Sequence, residues 1–109
     1  MSDNRINTAI VGASGYSGEE LVRLLLGHPH VNLSVLTSRQ YAGQPLASVF
    51  PRFGGHTDAS DLVFSEPSIE LLADKAKAVF LALPHGVAAE FAVPLVQRGV
   101  TVIDLSADF

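Results

Sequence analysis

Thr8-Ala9-Ile10-Val11-Gly12-Ala13-Ser14-Gly15-Tyr16-Ser17-Gly18 is the stretch on which the fold turns. An apolar run passes into three glycines, each separated by two residues, and a helical pattern follows at once. The sequence reads as a strand, a tight turn and the start of a helix. A helix start leaves backbone N–H groups without partners, and its dipole adds partial positive charge, so it receives an anion such as a pyrophosphate. Gly12 is expected to turn the chain off the strand, Gly15 to leave room for phosphate, and Gly18 to bring the helix close to the sheet. Ser14, Tyr16 and Ser17 complete the expected cofactor loop. The spacing G-x-x-G-x-x-G meets the commoner G-x-G-x-x-G fingerprint only loosely, so the position between strand and helix carries the assignment. A glycine-rich structural turn without ligand is the competing reading.

Working outward, residues 7–11 form the first, buried strand. Ser17-Gly18-Glu19-Glu20 has the form of a capping box, and Leu21, Val22, Leu24 and Leu25 give an apolar face to a helix over about residues 17–26. Gly27 suits the position after the helix end, and Pro29 blocks continuation. Val31, Leu33 and Val35 alternate with polar neighbours and run on into Leu36, a second strand ending near Thr37-Ser38-Arg39. Between residues 40 and 60 the pattern is broken by Gly43, Pro45, Pro51, Gly54 and Gly55, leaving room for one short helix over residues 46–50. Residues 62–64 read as a third strand, and residues 68–73 as a short helix opened by Pro67. The continuous apolar run of residues 78–83 is expected to be a central strand covered on both faces. A helix over about residues 87–97 follows, stopped by Gly99, with Pro94 predicting a kink or a late start. Residues 101–105 are the fifth strand.

Strands alternating with helices imply an α/β fold, a doubly wound parallel sheet with right-handed crossovers of the Rossmann type. Its C-terminal edge then gathers Gly12 to Ser17, Ser38-Arg39, Pro84-His85-Gly86 and Ser106, and such sheets bind ligands at that edge. The 109 residues fit one domain. A composition 48% hydrophobic and 17% charged supports a packed core. The net charge of −4, with scattered basic residues, argues against a nucleic-acid partner. No apolar run approaches a membrane span and no secretory core follows Met1, so a soluble, cytoplasmic protein is expected. Cysteine is absent from these residues, and the four histidines show no helical pair of metal ligands.

Arg39 stands roughly twenty residues beyond the glycines, just after the second strand, where an acidic residue reads the ribose 2′-hydroxyl of NAD and an arginine suits a 2′-phosphate. No Asp or Glu lies between Glu20 and Asp58. NADP is therefore the expected cofactor, with Ser38 offering a hydroxyl to the same phosphate; a solvated surface arginine is the alternative. His85, after the central strand, has the chemistry of an acid or base, though a loop histidine is more often plain polar surface. Asp104, Ser106 and Asp108 read equally well as turn chemistry or as substrate contacts.

Ile10 to Leu21, Leu36-Thr37-Ser38-Arg39, Leu83-Pro84-His85-Gly86 and Asp104-Leu105-Ser106-Ala107-Asp108-Phe109 together resemble the N-acetyl-gamma-glutamyl-phosphate reductases. The glycine loop and the closing D-L-S-A-D-F are the specific parts. The resemblance covers the whole chain but only the first part of such an enzyme. It implies NADP(H) bound by residues 1–109 at Gly12, Ser14, Gly15, Tyr16, Ser17, Gly18, Ser38, Arg39, Pro84, His85 and Ser106, and a homo-oligomeric full-length enzyme. It also implies a reductive dephosphorylation in arginine biosynthesis: a cysteine attacks a small-molecule acyl phosphate, phosphate leaves, and hydride from NADPH reduces the thioester to a semialdehyde. That cysteine belongs to the family's later sequence, so these residues alone are expected to bind cofactor without turnover. Aspartate-semialdehyde dehydrogenase, an aminoadipyl-phosphate reductase and a non-catalytic dinucleotide-binding module are the other readings.

Overall fold

The computed structural model describes residues 5–13, 16–55, 62–83 and 85–105. Strands β1 (Ile6–Val11), β2 (Val31–Thr37), β3 (Phe64–Ser65), β4 (Ala78–Leu81) and β5 (Thr101–Asp104) form one sheet in the order β3-β2-β1-β4-β5. Every neighbouring pair is parallel. Helices α1 (Tyr16–Leu26), α2 (Leu46–Val49), α3 (Ile69–Lys75) and α4 (His85–Gln97) supply the two outer layers. One core lies between the sheet and α3 and α4, built on Val35, Leu72, Val79, Leu81, Phe91 and Leu95. The other lies between the sheet and α1, α2 and a 3-10 turn at Pro51–Phe53, built on Ile10, Val22, Leu36, Leu46, Phe53 and Phe64. This is the doubly wound arrangement expected from the alternation of apolar strands and amphipathic helices.

The local chemistry of each end is mostly visible in the residues. Ser68 caps α3 by accepting a hydrogen bond from the Leu71 N–H at 3.2 Å, so Pro67 stands before the cap rather than in the first turn. Gly99 ends α4 at φ +83°, with its own N–H bonded to Val96 O and the Val100 N–H to Leu95 O, both at 3.0 Å. That is the Schellman arrangement, with Val100 packing into the core beside Leu95. Gly27, by contrast, ends α1 without a left-handed backbone. Pro94 neither delays nor ends α4, which begins at His85, two residues before the expected start. One missing i→i−4 bond is offset by the burial of Phe91 and Leu95 on either side.

Three expectations about strands are corrected. Leu33 and Val35 do not share a face. The β1–β2 register shifts between Thr8 and Ala9, which pair with Leu33 and Val35, so Ser34 is an extra residue, a bulge. Leu33 and Leu36 therefore face α1 while Val35 faces the opposite core. The Ser34 hydroxyl lies 3.2 Å from Thr8 O and 3.0 Å from Lys75 O, tying the bulge to its neighbours. Next, β3 begins at Phe64 rather than residue 62. Leu62 and Phe64 are engaged on the outer side: Leu46 N–H donates to Leu62 O, Phe64 N–H to Gln44 O, and Gly43 N–H to Phe64 O. An antiparallel bridge of Pro45 with Val63 completes a cover over the sheet edge. Finally, β4 is covered fully on one face only, with Val79 and Leu81 buried but Ala78 and Phe80 half-buried, because α1, α2 and the 3-10 turn all lie over β1, β2 and β3.

Candidate functional site

With all strands parallel, Gly12 after β1, Ser38 and Arg39 after β2, and His85 at the head of α4 come to one edge of the sheet. β1 sits at the point where the strand order reverses, with β2 on one side and β4 on the other. Crossovers leaving in opposite directions open a crevice there. It is a cavity of about 280 Å³ lined by Val11, Gly12, Ser38, Arg39, Gln40, Pro67, Leu83, Val87 and Phe91. That is slightly below the usual range for small-molecule pockets of about 300–1,000 Å³, so it suits one portion of an extended ligand rather than the whole.

The glycines divide the work. Gly12 has φ +83°, and a Cβ there would stand 2.6 Å from Ala82 O and 2.8 Å from Leu83 Cδ2. It both turns the chain and admits the end of β4, whose Ala82 N–H bonds to Val11 O at 2.9 Å. The N–H groups of Gly12 and Ala13 both donate to Thr37 O, at 3.2 and 3.0 Å, so they hold the loop against β2 and are not offered to an anion. The first turn of α1 is the other source of donors at this edge, since N–H groups there have no helical carbonyl to meet. Gly18 is buried, and a Cβ on it would lie 2.7 Å from three backbone atoms of Ala13. Its role is close packing of α1 on the strand end, as the sequence pattern predicts. Ser17 is exposed, and Tyr16 is the first residue of α1. Ser14, Gly15, Pro84 and Ser106 lie outside the described residues.

Beside this loop, Ser38 is buried and its hydroxyl accepts a hydrogen bond from the Tyr41 N–H at 3.1 Å, while its own N–H bonds to Ser65 O. The hydroxyl thereby shapes the turn that carries Arg39 and Gln40 out of β2. Arg39 is exposed at the rim of the cavity, and no carboxylate pairs with it among the described residues. An exposed guanidinium at a cavity mouth suits a phosphate. Along α1 the Arg23 side chain hydrogen-bonds Glu20 at 2.9 Å, and this bond, with the charges of Arg23 and Arg52, holds the Glu20 carboxyl below the usual carboxylate range. Among the described residues no group of three or more His, Cys, Asp or Glu is placed to hold a metal, and no helix is long and apolar enough to cross a membrane.

The sequence did not single out Gln40, Pro67, Leu83, Val87 or Phe91 as site residues. The apolar ones carry ordinary core or turn signals, and only the strand order shows that they meet. The set fits the adenosine end of a nicotinamide dinucleotide: apolar walls for a base, a hydroxyl-shaped turn and a cation for the ribose side, and a helix start for the pyrophosphate. Fold and site together define a dinucleotide-binding α/β domain.

Residues 7–109 match the family described as semialdehyde dehydrogenase, NAD binding domain, and the chain belongs to that family. It is 58% identical to an N-acetyl-gamma-glutamyl-phosphate reductase of Akkermansia muciniphila, over 96% of this chain and 30% of that enzyme. It is 48% identical to a [LysW]-L-2-aminoadipate/[LysW]-L-glutamate phosphate reductase of Saccharolobus solfataricus, over 97% of this chain and 29% of the relative. The chain thus spans about three-tenths of the length of these relatives. Among solved structures it resembles an aspartate semialdehyde dehydrogenase with NADP from Candida albicans, with TM-score 0.71 and 23% identity over 92% of this chain and 29% of that one. At that identity the likeness is one of fold.

Proposed function

We propose that this chain is the NADP(H)-binding portion of an N-acetyl-gamma-glutamyl-phosphate reductase, an enzyme reducing an acyl phosphate to a semialdehyde with release of phosphate. The observation that carries the cofactor reading is Arg39, exposed and without a carboxylate partner among the described residues, at the mouth of the cavity where the strand order reverses. The substrate class rests on the 58% identity to a named reductase. A bound nicotinamide would supply the hydride. The chain's own residues bind and orient: Arg39 takes the 2′-phosphate, the cavity walls of Pro67, Leu83, Val87 and Phe91 take the adenine, and the first turn of α1 takes the pyrophosphate. Acyl transfer to a thiol needs a cysteine, which these 109 residues do not contain, so that group would come from sequence outside them. The 48% identity to the LysW-linked reductase supports a second substrate reading, a carrier-bound aminoadipyl or glutamyl phosphate.

The test is calorimetric titration with NADP and NAD, before and after Arg39→Ala. A charge-assisted arginine–phosphate contact is worth roughly 1.5–3 kcal/mol, so NADP should bind about ten- to a hundredfold tighter and lose that preference in the variant. Equal affinities in the unmutated chain would overturn the cofactor assignment.

A further inference from the structure

Two carboxylates stand where a pyrophosphate would be repelled by them. Glu19 lies in the first turn of α1 and Glu20 follows it. Acidic side chains there favour the helix dipole, but they also oppose a second anion at the same end. The structure answers with a cation from a distant part of the chain. Arg52 Nη1 lies 3.4 Å from Glu19 Oε2 and 3.6 Å from Glu20 Oε2, while Arg23 holds the other Glu20 oxygen at 2.9 Å. Two carboxylates are thus matched by two guanidinium groups. Arg23 belongs to α1 itself, whereas Arg52 is delivered by the 3-10 turn Pro51–Phe53. That turn is pinned by Phe53, buried in the α1-side core and edge-on to Phe50, with the Arg52 guanidinium 5.4 Å over the Phe53 ring.

We infer that Arg52 is a positioning residue for the dinucleotide: by neutralising Glu19 and Glu20 it keeps the start of α1 able to accept a pyrophosphate. This rests on the dinucleotide reading above. Removing one of four balanced charges leaves a net negative charge at the first turn, a repulsion that acts through water and is screened by salt.

Titration with NADPH at about 20 mM and about 500 mM salt tests it, with thermal melting as the fold control. Arg52→Met should weaken binding about three- to tenfold at low salt and far less at high salt. Arg52→Lys should bind like the unmutated chain, and adding Glu19→Gln and Glu20→Gln to Arg52→Met should restore affinity. Unchanged low-salt affinity in Arg52→Met, or a loss equal at both salt levels and not relieved by the glutamines, would overturn the inference. No NADPH binding by the unmutated chain would overturn the dinucleotide reading itself and this inference with it.

Discussion

Replacing Gly18 by alanine tests whether close approach, rather than flexibility, is the reason for a glycine inside α1. The new Cβ would sit 2.7 Å from Ala13 C, Cα and O. Ordinary carbon contacts begin at about 3.5 Å, so α1 must withdraw by several tenths of an ångström. The obstacle is backbone, hydrogen-bonded through Ala13 N–H to Thr37 O, and cannot rotate aside. Overpacking of this kind costs about 1–3 kcal/mol, and the obstacle argues for the upper half of that range. Alanine regains about 1 kcal/mol of helix propensity, leaving a net loss of about 1–2 kcal/mol. For a domain of this size that lowers the melting temperature by roughly 5–15 °C. Gly27→Ala is the matched control: its Cβ would meet nothing closer than 3.9 Å, and stability should stay within about 0.5 kcal/mol. Thermal and urea unfolding of both variants supply the measurement. A Gly18→Ala chain as stable as the control would show that α1 does not need this approach.

If the glycine loop takes the pyrophosphate as its spacing predicts, Gly15→Val should abolish dinucleotide binding while leaving circular dichroism largely unchanged; unchanged affinity on titration would count against the pyrophosphate assignment. Thr37 is fully buried and its hydroxyl has no hydrogen-bond partner among the described residues, so Thr37→Val should stabilise the fold by about 1 kcal/mol in urea unfolding, and a loss would reveal a partner. Because the folded-state pKa of Glu20 is lowered, chiefly by its hydrogen bond to Arg23, its contribution is present above the ordinary carboxylate range and lost as pH falls. Glu20→Gln should therefore flatten the decline of melting temperature between about pH 5 and pH 3, and an unaltered slope would dismiss the pair as an acid-sensitive contact.

The parallel, doubly wound sheet was legible because it follows from apolar runs alternating with amphipathic helices, and parallel crossovers have one hand. Gly12 and Gly18 were legible because spacing between a strand and a helix fixes what each glycine does. The position of Arg39 at the cavity rim could be read from its place after β2. What stayed hidden depends on contacts between distant residues. Phe91 and Leu83 look like core until the strand order brings them to the cavity, and Arg52 looks like a surface cation until the 3-10 turn reaches α1. The half-covered face of β4 was misread because an unbroken apolar run does not say whether one side lacks a helix. The face of Val35 was misread because a bulge leaves no mark in an alternating pattern.

That bulge makes β2 unequal in what it can lose. Ser34 is the residue without an opposite number on β1, since Leu33 answers Thr8 and Val35 answers Ala9. Excising it would leave a strand of ordinary pleat in which Leu33, Val35, Leu36 and Thr37 keep their present sides. Excising Asn32 instead would turn Val31 toward the wrong layer and remove the Asn32 amide that donates to Asn7 Oδ1 at 2.8 Å. A shortened lineage of this domain would therefore be expected to drop its residue at 34, and Arg39 would still arrive at the same lip of the crevice. In β2, tolerance to deletion is a matter of parity, and a single serine holds the spare count.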